Sequence, residues 1–351
     1  MSRSVGWLTS DGGITSRDPS FCPPLDLRPP TEDNAVTGFT LEQASPFLRD
    51  VLQGLNRKQK TLPCKYLYDQ RGSELFDRIC DLDEYYVTRT ELAILEQNIE
   101  SIAFQIDQGV MLVEPGSGSS LKTRLLLNAL DSPRAYVPVD ISEEHLLKTA
   151  DGLRSVYPDL DVLPVVADFS RPFALPNCDP AASHVAMYFP GSTIGNFTTD
   201  EARRFLQQLA GMLGPQGGLL LGIDLQKDVA TLEAAYNDEL GVTAAFNLNL
   251  LHRVNGELDG DFDVAAFEHK AVYNPVDHRI EISIVSLKDQ TAHVGDWKFF
   301  FAADEEILTE YSHKYTIGGF EAFAAEAGFS LHQHWTDDQQ KFAILHLVLD
   351  E

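Results

Sequence analysis

Along the middle of the chain, short apolar runs alternate with stretches whose apolar residues recur at helical spacing. Short apolar runs are typical of buried strands, and apolar positions three and four residues apart are typical of amphipathic helices. The elements predicted in this way are, in order, strand 110–114, helix 120–130, strand 135–139, helix 142–153, strand 161–166, strand 183–190, helix 199–213 and strand 217–223. This alternation predicts an α/β fold with a doubly wound parallel sheet.

The alternation ends after Asp224, where a region of different pattern begins. Residues 227–255 predict two helices, and residues 267–301 contain long runs of β character with a hairpin turn at 274–277. Such strands cannot extend a parallel sheet without crossover helices, so we predict an inserted α+β domain. The sheet is then predicted to resume with helix 318–327 and strands 329–335 and 341–349.

These patterns predict a sheet domain and a second domain built from two separate segments. The N-terminal residues are rich in Ser, Pro, Gly and Asp, which is typical of a mobile tail, and a helix is predicted from near Thr40. The predicted organisation is tail 1–37, N-terminal part of the substrate domain 38–88, sheet domain 89–224, inserted α+β substrate domain 225–314 and C-terminal return to the sheet 315–351.

Composition argues against several classes of partner. The 351 residues carry a formal net charge of −26, and a field of this sign repels nucleic acid and anionic lipid. No run approaches about 18 apolar residues, so no membrane span is predicted, and the N-terminus lacks the apolar segment of a secretory signal. The cysteines show no paired or metal-ligand spacing, so we predict reduced thiols, a cytoplasmic protein and no metal site; they are Cys22, Cys64, Cys80 and Cys178.

Glycines and acids follow three of the predicted strands, at the edge where open α/β sheets bind ligands. They are Gly116 and Gly118 after strand 110–114, Asp140 at the end of strand 135–139, and Asp168 with Phe169 after strand 161–166. Glycine lets the backbone approach a ligand, and acids beside an aromatic ring suit a ribose and an adenine. The pattern favours S-adenosylmethionine over a nicotinamide cofactor, because Leu121 replaces the third glycine of the dinucleotide fingerprint. Ordinary turns and helix caps are the alternative.

Three further groups of residues are candidates for binding a substrate. The loop from Gly191 to Asn196 follows strand 183–190, and its glycines expose backbone amides beside an amide side chain. Tyrosines at positions 66, 68, 85 and 86 precede the sheet domain. Packing in the hydrophobic core and binding of a substrate are both open for these side chains. Glu310 and Ser312 alternate on an extended segment, so a carboxylate and a hydroxyl on one side could bind an imidazole. A solvated strand end is the alternative there.

Taken together, these motifs resemble those of one family. The segments that carry the likeness are Val113–Arg124, Gly191–Asn196, Ala235–Asn247 and Leu308–Ser312. Their order and spacing are similar to the L-histidine Nα-methyltransferases of ergothioneine biosynthesis, from about residue 60 to the C-terminus. The resemblance implies a class I (Rossmann-like) methyltransferase sheet with an inserted α+β substrate-binding domain. It also implies S-adenosylmethionine as cofactor and three successive methylations of L-histidine to hercynine, through the mono- and dimethylated forms.

The resemblance further implies roles for individual residues. The cofactor site would contain Gly116, Lys122, Asp140, Asp168 and Phe169. The substrate site would contain Tyr85, Gly191, Asn196, Tyr236, Ile282, Glu310 and Ser312, with Tyr68 as the catalytic residue near the amine. Glu310 and Ser312 are implied to bind the imidazole, and Ile282 occupies a place in the side-chain pocket where a methionine is familiar.

Methyl transfer from a sulfonium is an in-line displacement, so the attacking amine must be neutral and aligned with the methyl carbon. An α-amino group has a pKa low enough for deprotonation near neutral pH, and aromatic rings attract the growing cation. Two alternatives remain: an Nα-methyltransferase for another aromatic amino acid, such as a tryptophan derivative, and a non-catalytic binding protein. Glu310 argues against the first, because an indole needs a single acceptor and prefers apolar walls. We expect a monomer.

Overall fold

The computed structural model describes residues 44–117, 121–214 and 216–349. The strands within them are β1 (Lys60–Thr61), β2 (Met111–Pro115), β3 (Ala135–Asp140), β4 (Asp161–Val162), β5 (Val165–Val166), β6 (Val185–Phe189), β7 (Gly218–Asp224), β8 (Phe267–Asn274), β9 (Arg279–Ser286), β10 (Gln290–Val294), β11 (Trp297–Phe301), β12 (Glu306–His313), β13 (Phe329–Thr336) and β14 (Phe342–Leu349). The helices are α1 (Pro46–Leu55), α2 (Gln70–Cys80), α3 (Tyr86–Ile106), α4 (Leu121–Ala129), α5 (Glu143–Val156), α6 (Thr199–Leu213), α7 (Val229–Ala234), α8 (Val242–Glu257) and α9 (Ile317–Ala325).

The central sheet has the strand order β13-β14-β7-β6-β2-β3-β4, and β5 also pairs with β3. Strands β2 to β7 pair in parallel, whereas β14 is antiparallel to both β7 and β13. The direction of winding reverses between β2 and β6, which is the switch point where ligands bind in open α/β sheets. The predicted α/β class with a Rossmann-like, doubly wound sheet is confirmed.

Both faces of the central sheet are covered by apolar side chains. In β2, Leu112 packs in one core and Val113 in the other, and in β6 the neighbours Tyr188 and Met187 divide in the same way. Because successive strand residues point to opposite faces, a strand that is buried on both sides is apolar throughout. The long helix α3, which was not predicted, contributes Ile94 to the first of these cores.

Several predicted elements differ in their bounds. The predicted strand 161–166 is divided into β4 and β5, because Pro164 lacks the N–H that a continuous ladder requires. The first described helix, α1, begins at Pro46 with Ser45 as its N-cap. The predicted mobile tail, the residue Thr40, the thiol of Cys22 and the second glycine of the turn, Gly118, lie outside the described residues.

A second sheet with the order β1-β12-β9-β8 is formed largely by the segment between β7 and α9. The predicted hairpin is confirmed, since β8 pairs antiparallel with β9 and Asn274 Oδ1 accepts from the Asp277 N–H at 3.1 Å. Strand β10 was not predicted, and β12 was predicted only as an extended segment at Glu310 and Ser312. Strand β10 pairs with β11, and β12 lies between β9 and β1. Thr309 lies at a register shift in β12.

The predicted domain boundaries at 88/89, 224/225 and 314/315 stay a proposal. Strand β1, from the N-terminal segment, pairs with β12 of the inserted segment, and the described residues all belong to one compact unit. None of the described helices is long and apolar enough to cross a membrane.

Candidate active site

Gly116 and Phe169 contact each other beside the carboxyl end of β2. Gly116 has a φ of 72°, and its N–H donates to the Val139 carbonyl at 2.7 Å. A Cβ atom at this position would lie 3.1 Å from the Phe169 ring and would force that ring to move. The positive φ therefore favours glycine, and the close approach of Phe169 adds to that preference. The structure thus brings together two residues that were predicted for the cofactor site.

Two acidic side chains lie at the neighbouring strand ends. Asp140 ends β3, and its Oδ1 accepts from the Ser142 N–H at 2.8 Å. Asp168 follows β5, its Oδ1 accepts from the Ser170 N–H at 3.1 Å, and its Oδ2 lies 3.6 Å from Lys65 Nζ. Burial alone would raise the pKa of Asp168, but the Ser170 hydrogen bonds and Lys65 lower it below the ordinary value. Asp168 therefore remains an ionised acceptor at neutral pH.

A buried carboxylate on α3 joins the predicted cofactor and substrate residues. Glu91 is fully buried; it accepts a hydrogen bond from Lys122 Nζ and another from the Gly191 N–H at 3.0 Å. Lys122 lies in the first turn of α4, and Gly191 lies in the loop after β6. Lys122, which was predicted for the cofactor site, and Gly191, which was predicted for the substrate site, thus bind the same carboxylate group. Sequence reasoning missed Glu91, because nothing local distinguishes it from the other acids of a long helix.

Tyr68, Tyr85 and Tyr236 form one aromatic group together with Phe76 and Phe246, whereas Tyr66 packs against Phe47. Tyr68 makes edge contacts with Phe76 and Phe246, each with ring centroids 5.4 Å apart, and Tyr85 makes an edge contact with Tyr236 at 6.1 Å. Tyr85 is buried, whereas Tyr68 is 39% exposed. Burial and, after it, the Glu310 carboxylate raise the pKa of Tyr68 well above its usual value. The Tyr68 phenol therefore keeps its proton at neutral pH.

Glu310 lies on β12 near this aromatic group. Burial raises the pKa of its carboxyl to about 7, and Lys314 offsets only part of that rise. None of the described residues gives this carboxylate a hydrogen bond or an ion pair. A half-buried acid without a partner is costly, so its retention is typical of a binding site. Its direct neighbour across the β9–β12 ladder is Ile282, whose side chain is 3% exposed.

Asn196 ends the short 3-10 helix Thr193–Asn196 that follows β6. Its side chain is half-buried, and it makes no hydrogen bond to the part of the chain that the structure describes. The preceding residues hold the loop in place, because Ser192 Oγ accepts from the Asp224 N–H at 2.9 Å and His313 Nδ1 lies 2.9 Å from the Gly195 carbonyl. A fixed loop that carries an amide without a described partner can present that amide to a ligand.

Two lysines converge on a buried carboxylate at the end of β7. Asp224 Oδ2 accepts from Lys314 Nζ at 2.7 Å, and Asp224 Oδ1 accepts from Lys227 Nζ at 2.6 Å. Tyr86 donates its hydroxyl to the same carboxylate at 2.9 Å. Burial alone would raise the pKa of Asp224, but both lysines lower it below its ordinary value. Burial lowers the pKa of Lys227 to about 8.

The same network reaches two predicted substrate residues. Lys314 Nζ also donates to Ser312 Oγ at 2.7 Å and to the Tyr236 hydroxyl at 3.0 Å, and the two hydroxyl oxygens lie 2.7 Å apart. Sequence reasoning missed Asp224 and Lys314. Asp224 carries the signal used for Asp140, an acid at the end of a parallel strand, so the same rule could have found it.

One family of known proteins matches most of this chain. The family model described as "Histidine-specific methyltransferase, SAM-dependent" matches residues 47–349. The chain belongs to this family. It is therefore an S-adenosylmethionine-dependent methyltransferase, and the resemblance of the sequence motifs is confirmed.

Three relatives within this methyltransferase family are similar to most of the chain. The chain is 42% identical over 301 residues to a histidine N-alpha-methyltransferase of Mycobacterium tuberculosis, across 84% of this chain and 92% of that protein. It is 41% identical over 306 residues to a protein of the same name from Mycolicibacterium smegmatis, across 86% and 94%. It is 32% identical over 297 residues to ergothioneine biosynthesis protein 1 of Neurospora crassa, across 79% of this chain and 32% of that longer protein.

The strand ends of this methyltransferase fit the cofactor of its family. A Cβ at Gly116 would crowd the Phe169 ring, so glycine allows the turn after β2 to pack closely against this ring. Asp140 at the end of β3 and Asp168 just after β5 supply carboxylate acceptors at the same edge of the sheet. This set of groups suits the ribose and adenine parts of S-adenosylmethionine.

Proposed function

We propose that this methyltransferase transfers three methyl groups in succession to the α-amino nitrogen of L-histidine, giving hercynine for ergothioneine biosynthesis. The observation that carries the proposal is Glu310, a half-buried carboxylate without a described partner, beside a group of aromatic rings. Neutral imidazole has one donor nitrogen and one acceptor nitrogen. A carboxylate left without a partner matches the donor nitrogen, and an apolar side chain would leave the carboxylate unsatisfied.

On the cofactor side, we assign five residues to S-adenosylmethionine. They are Gly116, Lys122, Asp140, Asp168 and Phe169. The bound cofactor supplies an electrophilic methyl group on a sulfonium. Asp140 would accept hydrogen bonds from the ribose hydroxyls, and Asp168 from the adenine amino group, with Phe169 packed on the ring. Lys122, which Glu91 holds in place through an ion pair, would stand near the carboxylate of the methionine part.

On the substrate side, we assign the histidine carboxylate and amino group to Tyr85, Asn196 and Tyr236, with Gly191 framing the loop. Glu310 would accept from the imidazole, and Ser312 would donate to it. The rings of the aromatic group would exclude water and attract the ammonium product as its methyl groups accumulate. Tyr68 would orient the amine through its hydroxyl. Because its pKa is raised, it acts as a neutral hydrogen-bonding phenol and not as a phenolate base.

The reaction needs a neutral amine, and this requirement limits what the protein must provide. An α-amino group loses its proton at a pH close to neutral, so alignment and exclusion of water contribute more than proton abstraction. Each transfer exchanges a sulfonium charge for an ammonium charge. Charge is therefore conserved within each transfer, and the mono- and dimethylated ammonium products must each lose a proton before they can attack the next cofactor molecule.

A mass-spectrometric assay tests the proposal. Purified protein would be incubated with S-adenosylmethionine and, separately, with histidine, tryptophan, phenylalanine and tyrosine. We expect histidine to gain three methyl groups and to react fastest. A product that stops at one methyl group would contradict the trimethylation, and a faster reaction with tryptophan would favour the alternative aromatic substrate.

We also propose that the enzyme acts as a monomer in the cytoplasm on this small-molecule substrate alone, without nucleic acid. The formal net charge of −26 supports the last point, because it opposes binding to polyanions. Size-exclusion chromatography with light scattering tests the first point. A mass near 39.0 kDa is expected, and twice that mass would contradict it.

A further inference from the structure

Lys314 is fully buried, and it uses every hydrogen that it can donate. A lysine ammonium has three donors and no acceptor. Its three partners are Asp224 Oδ2, Ser312 Oγ and the Tyr236 hydroxyl, at 2.7, 2.7 and 3.0 Å. No hydrogen of Lys314 is left for a ligand, and its side chain is 0% exposed. Its hydrogen bonds within the site therefore reach only the two hydroxyl groups and Asp224, although its charge also lowers the pKa of Glu310.

These contacts determine how many hydrogens the two hydroxyl groups can offer. Ser312 and Tyr236 each accept one hydrogen bond from Lys314, and their oxygens lie 2.7 Å apart. Each hydroxyl has one hydrogen, and one of the two must fill the contact between the oxygens. A single hydrogen therefore remains for a substrate.

Chemistry decides which of the two hydroxyl groups keeps that hydrogen. A phenol is a stronger acid, and so a better donor, than a serine hydroxyl. The serine oxygen is the better acceptor, so Tyr236 donates to Ser312. The hydrogen that remains then belongs to Ser312.

We propose that Lys314 is a positioning residue, which fixes Ser312 as the hydrogen-bond donor to the substrate ring. This inference rests on the proposed function, because it takes the ring to be an imidazole. Glu310 would accept from the donor nitrogen of that ring, and Ser312 would donate to its acceptor nitrogen. The ring is then held in one tautomer and one orientation.

Lys227 provides a matched control for Lys314. It is the second lysine on the same carboxylate, and its other side-chain hydrogen bonds are to the Tyr86 hydroxyl and the Leu225 carbonyl. Neither Ser312 nor Tyr236 is among its partners. Lys314→Met and Lys227→Met each remove one cation from Asp224, but only the first releases the two hydroxyl groups.

The experiment is isothermal titration of both variants with L-histidine and with an analogue in which a pyrrole replaces the imidazole, in the presence of S-adenosylhomocysteine. The pyrrole keeps a ring N–H and lacks the acceptor nitrogen. We expect wild type and Lys227→Met to prefer histidine by about tenfold or more, and Lys314→Met by less than about threefold. The affinity for S-adenosylhomocysteine should stay within about threefold of wild type in both variants. Equal preferences in the two lysine variants would overturn the inference.

A double-mutant cycle covers the case in which Lys314→Met does not fold. Ser312→Ala and Tyr236→Phe would be measured alone and together by histidine titration. Because the two hydroxyl groups share one outward hydrogen, their effects should be non-additive by about fivefold or more. Additive effects would overturn the inference. If wild type does not bind histidine at all, the substrate proposal fails instead, whatever the variants do.

Discussion

Asp224 and Glu310 are acids on neighbouring parts of the same site, and their surroundings within the protein are opposite. Asp224 is fully buried and is bound by two lysines and a tyrosine hydroxyl, which lower its pKa. Glu310 is half-buried and has no hydrogen bond or ion pair to the described residues, so burial raises its pKa to about 7. One carboxylate has all of its partners within the protein, and the other has none among the described residues.

The difference separates a structural acid from a binding acid. Burying a charge costs several kcal/mol, and partners recover that cost only when the geometry is good. At Asp224 the cost is offset, and the result is a fixed scaffold for Tyr236 and Ser312. At Glu310 the cost is not offset until a ligand donates to the carboxylate, so the protein gives up stability there in return for recognition.

Removing the structural acid should have the largest effect. Asp224→Ala would leave Lys227 and Lys314 buried without their anion, so we expect a loss of about 3–5 kcal/mol in the free energy of unfolding. Denaturant titration measures it. A loss below about 1 kcal/mol would show that the two acids do not differ in this way.

At the cofactor edge, Asp140 extends the comparison to a second binding acid. Asp140→Ala should weaken S-adenosylmethionine binding by about 1.5–3 kcal/mol, because hydrogen bonds to a charged group are lost. The loss of its hydrogen bond to the Ser142 N–H should cost about 0.5–1.5 kcal/mol of stability. Titration calorimetry and thermal unfolding give the two values, and an unchanged cofactor affinity would contradict the assignment.

Neutralising Glu310 should stabilise the ligand-free protein at high pH. Its pKa rises from 4.5 to about 7 on folding, so the folded state binds the proton more tightly. The contribution of Glu310 to the free energy of unfolding therefore falls as pH rises between these two values, and it stays low above pH 7. Allowing for partial exposure, Glu310→Gln should gain about 1–2 kcal/mol at pH 8 and almost nothing at pH 4.

Thermal unfolding at the two pH values provides the measurement. Glu306→Gln is the control, because Glu306 lies on the same strand and pairs with Lys270 at 2.6 Å. A control variant stabilised as much as Glu310→Gln would mean that the gain reflects net charge alone.

The smallest effect is expected at Ile282, which lies opposite Glu310 in the ladder. Ile282→Met changes the shape of the wall without changing a charge, so stability should fall by less than about 1.5 kcal/mol. The ratio of histidine to tryptophan methylation should shift by less than about tenfold. A larger shift would mean that Ile282, and not Glu310, selects the side chain of the substrate.

Much of the cofactor edge follows from local rules in the amino-acid sequence. Gly116, Asp140 and Asp168 each follow a strand or end one, and parallel strands place their carboxyl ends on one edge. The same rule applied to β7 would have identified Asp224. Only the part of β12 around Glu310 and Ser312 was predicted as extended, because the sequence of this strand is mixed and its full length depends on pairing with β9 and β1.

The remaining parts of the site depend on contacts between distant segments. Glu91 and Gly191 are one hundred residues apart in the chain, and Lys314 joins Asp224 to Tyr236 across similar separations. No spacing in the sequence reports such contacts. Glu310 was named through its alternation with Ser312 and the family resemblance, whereas its lack of a described partner is a property of the folded chain.

The most direct test of the central claim is the substrate preference of Glu310→Gln. Initial methylation rates with histidine, tryptophan and phenylalanine would be measured for wild type, Glu310→Gln and the control Glu306→Gln. We expect wild type and control to favour histidine by at least about tenfold, and Glu310→Gln to lose most of that preference. If Glu310→Gln keeps the wild-type ratios, or if wild type prefers tryptophan, then the Glu310 carboxylate does not select histidine and the central claim is wrong.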